Sequence, residues 1–165
     1  MSRKITEIAV MTALAAILFS VESLIPTPVP WLRLGLANVV SLLALYWWGL
    51  REALLIAVLR VLIAGLFTGR LMQPVFVMSM GGSLSAVLGM WLMIRFAKHH
   101  FSLIGVSIWG ALCKNTAQLA IVSWLYISRF HLIFLLPGIL FVSLASGLII
   151  GALGYVLDRR LSRIL

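Results

Sequence analysis

Charge is scarce in this chain, and negative charge is scarcest. Charged residues make up 10% of the sequence, against roughly 25% in soluble domains. Four of the 165 residues are acidic. With 63% hydrophobic residues and a mean hydropathy of +1.16, a soluble fold of this size has no means of hiding its apolar surface. The solvent implied is lipid. A single cysteine, Cys113, excludes an intrachain disulfide and reads as a packing residue within an apolar segment. There is no Cys/His cluster for a metal and no nucleotide-binding motif, so no metal, cofactor or catalytic residue is expected. A process driven by ATP would need a partner to supply it. No cleavable signal peptide is expected, because the first apolar run is long, lacks a small-residue cleavage site and continues into Pro26.

The net charge of +9 raises nucleic acid as a partner, but the distribution argues against it. Basic residues stand singly or in pairs between apolar runs, as helix-flanking anchors do. Six apolar segments can be read, at about 5–25, 34–50, 53–68, 74–96, 103–127 and 133–157. A span needs about 20 residues. The second and third are short, which fits an inward tilt or a partly re-entrant path. The fold expected is all-α: one integral membrane domain over residues 1–165, a bundle of about six transmembrane helices. With the N-terminus in the cytoplasm, the inner flanks carry Arg3, Lys4, Arg51, Arg95, Lys98, Arg159, Arg160 and Arg163. The outer flanks carry Arg33, Arg70 and Arg129. Eight against three satisfies the positive-inside rule and places both termini inside.

Two basic residues remain, Arg60 and Lys114, and both fall within segments. A charge at mid-bilayer costs at least ~2.5 kcal/mol on insertion scales and marks a functional site by default. Arg60 is expected ~10 Å from the cytoplasmic end of its segment and Lys114 ~16 Å, near the midplane. Glu22 is the one acid expected toward the outer side. The resulting excess of positive charge favours an anionic ligand; the plainer reading pairs Arg60 with Glu22 or backbone carbonyls. Lys114, Asn115 and Gln118 form one polar patch on the fifth segment. In "WLRLGLANVV", Asn38 is expected in the outer leaflet with Arg33 above it at the mouth, and Gly35 permits close approach by a backbone or ligand. Arg33, Asn38, Arg60, Lys114, Asn115 and Gln118 are therefore the candidate solute-binding residues. Glycines and serines of segments four and six read mostly as packing. Segment one carries small residues at spacings of four, Ala9 with Ala13 and Thr12 with Ala16. Such a stripe suits internal packing or docking on another membrane protein.

The stretches "ESLIP", "RLGLANVVSLLALYWWGLREALLIAVLRVLIAGLFTG", "GGSLSAVLGMWLM", "GVSIWGALCKNTAQL" and "LPGILFVSLASGLIIG" resemble a bacterial membrane family. It is called heptaprenyl diphosphate synthase component I, or the Gx transporter family. The resemblance runs over about residues 22–154. That family in turn resembles the S component of energy-coupling factor transporters. Those are compact six-helix proteins that capture a vitamin-like solute from outside and dock on a T subunit and two ATPases through small residues of the first helix. The resemblance implies Ala9, Ala13 and Ala16 as the docking stripe. A lysine often precedes "LGLAN" in the family, and a histidine often precedes the asparagine of segment five; here those positions hold Arg33 and Lys114. Cobalt and nickel versions of the architecture use an N-terminal histidine, where this chain has Ser2, and its His99, His100 and His131 fall between segments.

The family's synthase label meets a chemical objection. Mg²⁺-held diphosphates need clustered carboxylates, because a hard cation takes oxygen ligands. The one aspartate is Asp158, and no two acids are close in sequence. Two readings result. One is a membrane subunit that binds a small anionic or polar solute for uptake, energised by T and ATPase partners. The alternative is a non-catalytic accessory or anchor subunit in prenyl diphosphate or quinone metabolism.

Overall fold

The computed structural model describes residues 2–24, 35–69, 71, 73–96, 101–125 and 132–161, and every regular element in them is an α-helix. The order is α1 (Ser2–Leu24), α2 (Ala37–Trp47), α3 (Leu50–Phe67), α4 (Pro74–Phe96), α5 (Leu103–Leu125) and α6 (Leu132–Leu161). Five of these follow the expected segments to within a few residues. Helices α1, α4 and α6 contain windows long and apolar enough to cross a membrane.

Helix α2 departs from expectation. It has 11 residues, ~16 Å at 1.5 Å per residue, about half of a hydrocarbon core of ~30 Å. It begins three residues later than the expected segment. All residues from Ala37 to Leu45 are buried. A helix that is apolar all round belongs inside a protein, and α2 packs on α1, α3, α4 and α6. The core cluster joins its Val40, Leu42, Ala44 and Leu45 to Ala15 of α1, Ile56 and Ala57 of α3, and Val87 and Met90 of α4. Large apolar side chains face outward instead, among them Val10, Ile17, Phe96, Trp124 and Phe141, as lipid contact permits. On the far side, α5 and α6 approach to backbone contact. A methyl added at Gly147 would lie 2.5 Å from Ile108 Cα, and one at Gly151 2.6 Å from Ile104 Cα. Only glycine allows that spacing.

The expected stripe on α1 differs in exposure along its length. Ala9 and Ala13 are exposed, with Val10, Leu14 and Ile17 beside them. Ala16 is buried with Thr12 and Ala15. At 3.6 residues per turn Ala9, Ala13 and Ala16 lie within about 60° of arc, so they share one face whose edge, at Ala16 beside Thr12 and Ala15, is covered.

Polar contacts define one end of the bundle. Lys4 Nζ reaches Glu52 Oε1 at 2.6 Å, which joins the starts of α1 and α3. Trp47 Nε1 donates to Asp158 Oδ1 at 2.8 Å, which joins the ends of α2 and α6. Trp47 stands edge-on to Trp48 at 5.9 Å, Arg95 lies over the Trp91 ring and Arg159 over Tyr155. Tyr46, Ile94, Ser102 and Asp158 line one pocket at this end, so α4 finishes and α5 begins here too. The chain thus starts and finishes at the same end, among Arg3, Lys4, Arg51, Arg95, Arg159 and Arg160. Arg33, Arg70, Arg129, Lys98 and Arg163 lie outside the described residues. The positive-inside rule predicts that this basic end faces the cytoplasm, and it is called the cytoplasmic end below. A reporter active only in the cytoplasm, fused after Leu165, is expected to be active, and the same fusion would be silent if the bundle were inverted.

Candidate functional site

Gly35 sits at φ +80°, a conformation glycine adopts at no steric cost. Its amide hydrogen points to Glu22 Oε1 at the end of α1. A side chain at residue 35 would collide with the site itself, since an added methyl would stand 2.7 Å from Lys114 Nζ and 3.0 Å from Asn38 Nδ2. Three residues on, Asn38 N bonds Gly35 O at 2.7 Å and α2 begins. The turn therefore places Asn38 in the first turn of a buried helix, aimed across the bundle.

Asn38 Oδ1 accepts from Arg60 Nη2 at 2.5 Å, and Ser83 Oγ accepts from the same nitrogen at 3.1 Å. Arg60 is 1% exposed. It is ten residues along α3, ~15 Å from the helix start, deeper than the ~10 Å expected, because the helix begins at Leu50. The three helices α2, α3 and α4 are thus joined through one guanidinium. Lys114 and Gln118, one turn apart on α5, complete the enclosure with Phe19 and Glu22 of α1 and Ser79 of α4. The cavity between them has a volume of about 10 Å³. That is room for about one water.

Several buried polar atoms around this cavity have no hydrogen-bond partner: Arg60 Nε and Nη1, Glu22 Oε2 and Gln118 Oε1. Buried polar groups are ordinarily paired, so these atoms leave the cavity with unmet hydrogen-bonding capacity. The arrangement brings a carboxylate, a guanidinium and an ammonium group around one space.

Of the candidate residues, Asn38, Arg60, Lys114 and Gln118 are brought together. Arg33 lies outside the described residues. Asn115 is placed elsewhere: its Nδ2 donates to Ser143 Oγ at 2.7 Å, and Ser143 in turn donates to Ile139 O at 2.6 Å. One position from Lys114 is a 100° rotation, which turns Asn115 from the cavity toward α6. Glu22, Ser79 and Ser83 line the cavity without having been singled out as site residues. The scarcity of acid was itself the signal for Glu22.

The description heptaprenyl diphosphate synthase component I belongs to a family model that matches residues 11–157. The chain belongs to that family. No curated protein matches the sequence as a relative. A solved structure described as "Structure and mechanism of the S component of a bacterial ECF transporter" superposes with a TM-score of 0.75 at 20% identity, over 99% of this chain and 97% of that one. The likeness is one of fold, and the fold is that of a helical membrane protein. In this member of the component I family the acids are dispersed. Glu7 pairs with Arg3, Glu52 with Lys4, and Asp158 with Trp47, all at the cytoplasmic end, whereas Glu22 lines the cavity.

The Asn38–Arg60 contact can be tested by coupling. Asn38→Leu keeps much of the volume and removes the guanidinium's acceptor, with an expected loss of ~1.5–3 kcal/mol, the range for bonds to charged groups. Adding Arg60→Met to that variant is expected to restore stability, because the stranded charge is gone. Thermal melts of the two variants check this; equal melting points would dissolve the coupling.

Proposed function

We propose that this protein is the solute-binding membrane subunit of an uptake system, energised by a T subunit and ATPase partners. The observation that carries the reading is the buried polar cavity of Asn38, Arg60, Lys114 and Gln118, set in an S-component fold on the side away from the cytoplasmic end. A charge is costly in lipid, and a subunit that served only as an anchor would have no need of two of them around a shared space. The cavity's excess of basic groups suits a small solute with an anionic group. The membrane concerned is the bacterial cytoplasmic membrane, with the cavity facing outward. The family description favours a second reading, an accessory subunit to a prenyl diphosphate synthase; stable association with such a synthase and no bound solute would support it.

Native mass spectrometry of gently purified protein is expected to show a co-purifying small molecule. Lys114→Met keeps most of the apolar stem and removes the charge. It should still fold and bind at least ~1.5 kcal/mol more weakly, about a tenfold loss of occupancy below saturation. Full binding with lowered stability would make Lys114 structural and remove the site.

The outward face of α1 supplies the partner test. Ala13 is exposed, so Ala13→Trp is expected to leave the melting point unchanged while abolishing co-purification with a T subunit, because bulk prevents close helix approach. Undiminished association would exclude this face as the docking surface.

A further inference from the structure

The solute-binding reading leaves open what kind of anion the cavity accepts, and its unpaired atoms carry that question further. Arg60 spends both hydrogens of Nη2 on Asn38 and Ser83. Its Nε and Nη1 retain three hydrogens without an acceptor. Two acceptors are likewise unmatched, Glu22 Oε2 and Gln118 Oε1. Arg60, Glu22 and Gln118 are each more than nine-tenths buried and line the same cavity. One water accepts two hydrogen bonds and donates two. The water-sized space therefore cannot satisfy three donors and two acceptors together.

From these atoms we infer that the solute carries two unlike groups: an anionic acceptor for Arg60, and an N–H or O–H donor for Glu22 and Gln118. A solute made only of acceptors, such as sulfate or inorganic diphosphate, meets the Arg60 donors but sets its oxygens against the Glu22 carboxylate. Glu22 is not free to turn away. Its Oε1 accepts from the Gly35 amide, which orients the carboxylate. Discrimination of this kind is strong, because a site built to hydrogen-bond a donor leaves a buried acceptor unpaired when the donor is missing.

A matched pair of probes tests the inference. N-acetylglycine presents a carboxylate and an N–H. N-acetylsarcosine presents the same carboxylate with the N–H replaced by N–CH₃. Inorganic diphosphate presents acceptors alone. Each is titrated into the purified protein to about 10 mM, a range suited to fragments of this size, with binding read by calorimetry and by shift of the melting point. N-acetylglycine is expected to bind at least about tenfold more tightly than N-acetylsarcosine, and diphosphate is expected not to bind. In Glu22→Gln the preference between the two acylated probes is expected to vanish; should that variant fail to fold, the wild-type pair decides alone. Binding of N-acetylsarcosine or diphosphate as tight as that of N-acetylglycine overturns the inference, and so does failure of all three to bind. Neither outcome touches the broader reading, which stands or falls on whether wild-type protein co-purifies with a solute that Lys114→Met loses.

Discussion

A guanidinium held away from water at the centre of a lipid-facing bundle is the constraint on which the rest of this structure depends. Arg60 stays charged in nearly any protein setting, and an unpaired charge in a low-dielectric interior is costly by several kcal/mol. Its neighbours are arranged to lower that cost. Asn38 and Ser83 supply neutral oxygens from two other helices. For Asn38 to reach it, α2 must start deep in the bundle, and Gly35 at positive φ is what lets the chain turn in there. A helix that starts deep and ends at the cytoplasmic interface is short, and one enclosed by four neighbours is apolar on every side. The anomalies of α2, its length and its uniform burial, are consequences of serving one charge.

The two ends of the bundle use charge differently. At the cytoplasmic end, three of the four acids have partners and the tryptophans and arginines sit at an interface where water and headgroups screen them. In the cavity, charges lie close together with donors and acceptors unmatched. Exposed ion pairs of the first kind contribute little to stability, so their value is in fixing which helix ends lie together. The unmatched atoms of the second kind oppose stability, and a fold keeps such a feature where function requires it.

Much of this was legible in the sequence, and what was not has a definite cause. Apolar runs and flanking arginines identify helices and their orientation because lipid enforces both. Arg60, Lys114, Asn38 and Gln118 stand out because polar groups are rare in such runs, and all four meet at the cavity. Asn115 failed to separate from Lys114 because adjacency in sequence says nothing about a 100° rotation until the neighbouring helix is known. Ala16 failed to separate from Ala13 for a related reason: both belong to a pattern of small residues, but only the packing of α1 on α2 and α3 decides which are covered. Glu22 was seen as the lone outer acid but not as a cavity wall, because its role depends on the turn at Gly35, thirteen residues away.

Packing is unequal around the cavity, and this determines which wall can yield. Helices α4, α5 and α6 interlock through contacts that leave no room for a methyl, as at Gly147 and Gly151, so the wall bearing Ser79, Ser83, Lys114 and Gln118 has a rigid backbone. Helix α1 is the most exposed of the three long apolar helices, with 22% of its apolar window buried against 44% for α4 and 39% for α6. Among its polar ties are Lys4 to Glu52 at one end and Glu22 to the Gly35 amide at the cavity. Regions with few buried contacts open at the lowest free energy. A cavity that admits about one water must widen to take a solute, and the least costly widening parts Glu22 and Gly35 from the α4–α5 wall. On the proposed function, the acid assigned to the solute's donor group lies on the less packed side of the cavity, and Lys114 lies on the interlocked side. A solute with both groups would bridge the two sides, whereas one lacking the donor would be held by one side alone.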